Sequence, residues 1–383
     1  MSTPDVVVTA PADTAPGWLA AFDRATIAAT LAVKAVILLF GTLAYSIISD
    51  RGVAGPLAAL ELWNRWDAPH YLSIARDGYQ ATGEDRFFIV FYPLYPLAVR
   101  LAAVLVQNQL VAAFVVSGVA SIAVALLLWQ LARLDGTAEF ASRAVWFLLI
   151  FPTAYFFHIG YTESLFIASV LGSFLAARRD HWALAGALGA LACLTRINGL
   201  VLLPALAVEV LLQYRATRCF RLAWCWIALP LLGVGGYLLI NQTIYGDPLQ
   251  FLTYQREHWY KTFAWPWQGI EGNVRSIGWR KPNEAQMIGV QEVFFIVLGL
   301  VGTIAAGFTL RPSYAVWMAG NWLLFTSTSF ILSVPRYTLI LFPLYLLFAR
   351  LAAHRTWHTI LTVWSILFMA LFIILFVQGR WAF

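Results

Sequence analysis

Phe87-Phe88-Ile89-Val90-Phe91-Tyr92-Pro93-Leu94-Tyr95-Pro96-Leu97-Ala98-Val99-Arg100-Leu101-Ala102-Ala103-Val104-Leu105-Val106 is the stretch on which the topology of this chain turns. It has the length and apolarity of a bilayer-crossing helix, which needs about 20 such residues. Pro93 and Pro96, however, stand three residues apart. Together they interrupt backbone hydrogen bonding in a way that a lipid-exposed span tolerates poorly. Loop charge decides between the two readings. With the N-terminus inside and 87–106 lying along the outer surface, the short inner loops hold Arg133 and Arg143, Arg178 and Arg179, Arg215, Arg218 and Arg221, Arg311, then Arg350 and Arg355. The short outer turns hold only Arg196 and Arg336. This is the expected cytosolic bias of Lys and Arg. If 87–106 crosses, every later loop changes side and the bias reverses.

Outward from that stretch, eleven apolar runs are expected to span: 25–48, 110–133, 143–157, 161–178, 181–195, 198–214, 222–243, 289–310, 314–331, 336–350 and 356–378. The composition agrees. Of 383 residues, 61% are apolar and 11% charged, against about 25% charged in a soluble domain. The expected fold is therefore an all-α polytopic membrane protein. A disordered cytosolic tail occupies 1–24, its first 17 residues polar with Pro and Ala, and a single membrane domain occupies 25–383. The first apolar run is long enough to stay as an anchor, and no cleavable signal precedes it. The net charge of +6 is scattered over inter-helix loops and does not point to nucleic acid. Cys193, Cys219 and Cys225 have no metal or redox spacing. Two outer loops stand out, about 49–109 and 244–288. A simple channel needs no such loops, and loops on a rigid scaffold are where chemistry tends to sit.

The first loop contains Trp63-Asn64-Arg65-Trp66-Asp67-Ala68-Pro69-His70-Tyr71-Leu72-Ser73-Ile74-Ala75-Arg76-Asp77-Gly78-Tyr79. Pro69 suits a helix's first turn and Gly78 its end. Tyr71, Ile74 and Ala75 fall on one face, so a short helix can rest on the membrane plane. Asp67 sits at the start of that helix. Its carboxylate either caps the helix by accepting a backbone N–H or takes a proton from an attacking hydroxyl. His70, three residues on, shares its face or is a surface hydrogen-bonding residue.

Arg65-Trp66-Asp67-Ala68-x-His70-Tyr71-x-x-Ile74-Ala75-x-x-Gly78-Tyr79, followed by Phe91-Tyr92-Pro93-x-Tyr95-Pro96-Leu97, resembles the signature loop of the PIG-V mannosyltransferases and their bacterial relatives. Gly160-Tyr161-Thr162-Glu163-Ser164-Leu165-Phe166 is similar to that family's Gly-Tyr-Ser-Glu-Ala-Leu-Phe, and Arg196-Ile197-Asn198-Gly199 to its Arg-Ser-Asn-Gly. The blocks lie in the family's order over roughly 63–200, and the match weakens beyond. The resemblance implies a GT-C glycosyltransferase with in-plane amphipathic helices in its first outer loop and a polyprenyl-phosphate sugar as donor, mannose by family default. It also implies a catalytic acid at the position of Asp67, with Arg65 in the same motif as a substrate contact.

Other candidate contacts follow. Glu163 opens a span on the outer side, where an ionisable group marks function or simply suits the helix dipole; Tyr161 would line the same pocket. Arg196, Asn198 and Arg336 stand at outer turns, where an Arg fork suits a phosphate or anchors a helix end by snorkelling. In the second loop His258 and Arg256, among Trp259, Trp265 and Trp267, are candidate sugar contacts on what is otherwise an interfacial aromatic belt. His354 and His358 are four apart but lack an acidic third ligand, so no metal site is expected. The expected reaction is inverting transfer of mannose from polyprenyl-phosphate-mannose to a lipid or glycan acceptor on the extracytosolic face, with Asp67 as general base. Direct displacement from a phosphate requires no cofactor, and the sequence leaves a divalent metal open. The alternative is a transporter or flippase of lipid-linked sugars without bond chemistry. Against it, the notable polar residues gather at one face and no matching halves are visible.

Overall fold

The computed structural model describes residues 24–383, and in it the 87–106 stretch is broken in two. A 3-10 turn over Glu84–Val90 and a helix over Leu94–Val106 meet at 111°. Pro93 stands at the N-cap of the second piece, where its missing N–H costs least.

Along the chain, α1 (Arg24–Ser49) leads into a first loop carrying α2 (Gly55–Glu61), α3 (Ala68–Asp77) and α4 (Leu94–Val106). Short connections then join α5 (Gln109–Arg133), α6 (Ala138–Ile150), α7 (Glu163–Arg178), α8 (Trp182–Thr195), α9 (Leu202–Thr217) and α10 (Pro230–Tyr245). A second loop carries α11 (Gln250–Glu257), α12 (Pro266–Ser276) and α13 (Pro282–Glu284). Last come α14 (Gln291–Thr309), α15 (Pro312–Thr326), α16 (Val334–Thr338), α17 (Pro343–Leu351) and α18 (Arg355–Val377). Among the described residues there is no β-strand, only an isolated bridge between Phe263 and Thr328. The expected tail falls outside the described residues except for Arg24, which begins α1.

Six helical stretches are long and apolar enough to cross a membrane: Arg24–Ser49, Gln109–Arg133, Ile197–Thr217, Leu222–Tyr245, Pro282–Thr309 and Arg355–Val377. The five other expected spans are shorter helices. α6, α7, α8 and α15 have 13, 16, 14 and 15 residues, and the run 336–350 is divided between α16 and α17. Apolarity continues past these helix ends, but the backbone leaves the helix, as at Phe151–Thr162, where every residue is buried. Irregular backbone at such depth is tolerated where protein encloses it.

Burial separates an inner core from a lipid-type surface. α7 has 13 of its 16 residues buried, the pattern of a helix surrounded on all sides. α1 buries only Thr26, Thr30, Ile37 and Gly41, and turns Val36, Leu39, Leu43 and Ile47 outward. α8 approaches the 3-10 segment Leu222–Ala228 at Gly186 and α10 at Gly233. A Cβ on Gly186 would stand 2.1 Å from the Trp226 carbonyl, and one on Gly233 2.3 Å from that of Ala190. Small residues permit this close helix contact.

The two long loops meet at one end of the bundle, where the Tyr245 hydroxyl donates to the carbonyls of Gln80 and Arg86 at 2.7 and 2.8 Å. The opposite end is clamped by charge. Buried Glu209 accepts from Arg311 at 2.7 and 2.6 Å and from Ser313 at 3.1 Å, while Asp135 accepts from Arg178 at 2.9 Å and Tyr314 at 3.0 Å.

Candidate active site

At the loop-bearing end, α16 delivers Arg336 into the protein core, where only 4% of its side chain stays exposed. A buried guanidinium needs partners, because an unpaired charge away from water is strongly disfavoured. Two acids supply them. Arg336 Nη1 donates to Asp67 Oδ2 at 2.6 Å, and Nε donates to Glu163 Oε1 at 2.5 Å. Arg196 Nη1 donates to the same Glu163 oxygen at 2.5 Å and to Thr162 Oγ1 at 3.0 Å. Two arginines and two carboxylates therefore form one neutral network drawn from four separate parts of the chain. Aromatic rings close around the Arg336 guanidinium: its carbon lies 4.6 Å from the Tyr161 centroid, 5.0 Å from Phe156 and 5.7 Å from Phe383. Ring faces attract such a cation.

The members of this network differ in access. The Glu163 side chain is fully buried, whereas that of Asp67 is 31% exposed. Asp67 occupies the N-cap position of α3 but makes no side-chain capping bond. Its carboxylate turns to Arg336 instead, and Oδ1 holds no hydrogen bond among the described residues. Glu163 Oε2 is buried and unpartnered. The turn before Asp67 is tightly held. The Tyr161 hydroxyl donates to the Arg65 carbonyl at 2.7 Å, and Trp66 adopts φ +58°, a left-handed conformation rare for a bulky residue. Trp66 packs edge-on to Trp381 at 5.0 Å and to Phe383 at 6.3 Å. Arg65, expected to touch substrate, donates to the carbonyls of Leu62 and Val377 at 2.9 and 2.8 Å and so ties this turn to the end of α18.

The histidines stand where the loops meet. His70 lies 4.3 Å from the Phe88 ring and 5.2 Å from Phe91, while His258 stacks on Phe87 at 4.2 Å. Burial pulls the His70 imidazole below its ordinary value of 6.5; Asp67 and Asp85 oppose this and His258 adds to it. A lowered folded value means that neutral His70 contributes stability in full above the unfolded value, and that this is lost as pH falls through the folded one. His70→Gln, neutral throughout, is expected to flatten the fall in melting temperature below about pH 6.5. Parallel curves for the two proteins would remove His70 as a source of that fall.

Asn198 stands apart from the charged network. Its amide donates to Asn321 Oδ1 at 2.8 Å, and Asn321 in turn donates to the Trp317 carbonyl at 2.9 Å, which fastens Asn198 to α15. Arg256 lies on α11, outside the network. His358 packs 5.8 Å from Phe147. Among the described residues no three His, Cys, Asp or Glu side chains are grouped to hold a metal ion. A cleft of about 520 Å³, lined by Glu61, Asn64, Pro69, Ser73, Arg76 and neighbours, contains no member of the network.

Three side chains missed by sequence reasoning belong here. Lys261 Nζ lies 3.4 Å from the Tyr337 hydroxyl and 5.5 Å from its ring centroid, and the Arg196 guanidinium lies 5.5 Å from the same ring. Tyr337 thus stands between two cations beside Arg336. Thr162 is the third, bonded to Arg196. Adjacency to Arg336 and Glu163 was the available signal for Tyr337 and Thr162; Lys261 carried none beyond its place in an aromatic loop.

A family model described as mannosyltransferase (PIG-V) matches residues 43–263, more than half of the chain. Asp67, His70, Glu163, Arg196, His258 and Lys261 fall inside the match and Arg336 outside it. No curated protein and no solved structure matches.

Proposed function

Because the chain belongs to the PIG-V mannosyltransferase family and is a membrane glycosyltransferase, we propose that it moves mannose from a polyprenyl-phosphate carrier to a hydroxyl of a lipid or glycan acceptor on the extracytosolic face. The observation that carries this reading is the partly open Asp67 held by a buried arginine. Such a carboxylate is fixed in place yet keeps one oxygen for an incoming group, as a general base requires.

The acceptor hydroxyl hydrogen-bonds to Asp67 Oδ1. Its oxygen attacks the anomeric carbon and its proton passes to Asp67. The bond from that carbon to the phosphate oxygen breaks, and the lipid phosphate departs with the electron pair. One displacement inverts the centre, so a β-linked donor gives an α-linked product. Arg336 is committed to two acids. The phosphate charge is met instead by Lys261, whose ammonium bonds only the Tyr337 phenol among the described residues, and by the face of Arg196 next to Tyr337. His70 and His258 border the acceptor side. The arginine bias of the short loops supports an outer position for this end of the bundle. The five shorter runs, carried by α6, α7, α8, α15 and the pair α16 and α17, complete eleven crossings, with α2, α3 and α4 lying along the outer surface.

The test is transfer of labelled mannose from polyprenyl-phosphate-mannose into a host lipid extract by purified protein in detergent. Well-folded protein that neither transfers mannose nor binds the donor would overturn the reading; donor crossing a vesicle membrane unchanged would favour a flippase. In the same assay Lys261→Ala is expected to raise the donor KM on the order of ten-fold, as loss of one charge-assisted hydrogen bond implies. An unchanged KM would place the phosphate elsewhere.

A further inference from the structure

We infer that Glu292 is a positioning residue of this site: it never meets substrate, but it sets where Arg336 stands and, through Arg336, where Asp67 stands. The inference rests on the function proposed above. Glu292 is the second residue of α14 and is fully buried. Both of its carboxylate oxygens are engaged by consecutive backbone amides. Ser333 N donates to Oε1 and Val334 N to Oε2, each at 2.7 Å.

Those amides belong to the start of α16, where N–H groups have no partner within the helix. Ser333 adopts φ +72°, a left-handed conformation uncommon outside glycine. A left-handed residue followed by a helical one turns successive N–H groups toward a common point, which suits an anion. The next residue is also fixed, because Thr153 Oγ1 donates to the Pro335 carbonyl at 3.0 Å. Residues 333 to 336 are thus held one after another: two by Glu292, one by Thr153, and the last by Asp67 and Glu163.

The strain at Ser333 persists only while its surroundings impose it, and the two acceptor oxygens of Glu292 are part of those surroundings. A glutamine there would offer one acceptor and set an N–H₂ against the second backbone N–H. The turn would then relax and carry the Arg336 fork away from its 2.6 Å bond to Asp67. A shift of about 1 Å at a reacting group costs on the order of 100-fold in rate.

The experiment compares full-length wild type, Glu292→Gln, Glu292→Asp and Asp67→Asn for kcat, donor KM and melting temperature. Glu292→Gln is expected to lower kcat on the order of 10- to 100-fold with the donor KM within about two-fold of wild type, because neither Lys261 nor Arg196 hydrogen-bonds to Glu292. Glu292→Asp, one methylene shorter with its charge kept, is expected to recover part of kcat. A purely structural role would instead lower the melting temperature and the active fraction, with turnover per active site unchanged. That result, or wild-type kcat in folded Glu292→Gln beside an inactive Asp67→Asn, overturns this inference alone. Wild-type turnover in Asp67→Asn overturns the parent reading and this inference together. If Glu292→Gln does not fold, Glu292→Asp decides: reduced kcat at constant donor KM supports the inference, and wild-type kcat overturns it.

Discussion

Arg336→Ala is expected to abolish mannose transfer and to destabilise the protein by about 3–5 kcal/mol, the cost of breaking a buried ion pair by removing one partner. The side chain is 4% exposed and bridges two carboxylates. Its loss leaves Glu163, which is fully buried, with Arg196 alone, and leaves Asp67 with no partner to orient it. Arg336→Lys is expected to lose most of the activity as well, since a point charge cannot offer two donors in the planar fork that reaches both acids. The effects on fold and chemistry separate in a second variant. Arg336→Met with Glu163→Gln removes the uncompensated charge and should regain part of the melting temperature but no turnover. Thermal unfolding in detergent and a single-turnover transfer assay supply both readings. Wild-type stability in Arg336→Ala would show that the network is not what holds this end of the bundle together.

Asp67→Asn is expected to reduce kcat by about 10²–10⁴, the range for loss of a general base, with a much smaller effect on melting. The asparagine carbonyl can still accept from Arg336, and Glu163 keeps both arginines. Donor binding, placed at Lys261 and Arg196, should change little. A fall in kcat/KM that came entirely from KM would instead assign Asp67 to substrate binding. Turnover equal to wild type at equal protein level would sink the general-base mechanism.

The residues that converge on Arg336 were visible in sequence because each stands at a helix end beside unusual neighbours. Asp67 precedes Pro69, Glu163 opens an apolar run, Arg196 ends one, and Arg336 follows a proline. Isolated charges at such positions are conspicuous in a chain with 11% charged residues. Less legible was what the charges do to one another. Arg336 reads in sequence as a free cation suited to phosphate, and only the folded chain closes it between two acids and three rings. The Asp67 carboxylate could equally have capped α3, since the local pattern for a cap is complete; the partner that wins it lies 269 residues away. Glu292 and Lys261 escaped because their partners are a backbone turn and a phenol across the bundle, which no spacing rule encodes. The span count shows a related limit. Hydropathy reports apolar surroundings, and Phe151–Thr162 is buried whether or not it is helical. The two prolines of 87–106 mark a break because they act on the backbone itself.

The network also has a history in time, because its members leave the ribosome in order. Arg196 follows Glu163 by 33 residues, but Arg336 follows by 173. At about 5–20 residues per second, Arg196 is synthesised roughly 2–7 s after Glu163, and Arg336 only about 9–35 s after it. During that interval Arg196 is the one arginine of the finished network within reach of the acid. Asp67 waits longer still, 269 residues, and being the more open carboxylate it can wait in water. The arrangement that favours catalysis, one acid sealed and one exposed, is therefore also an order of assembly in which the sealed acid is the first to be given an arginine.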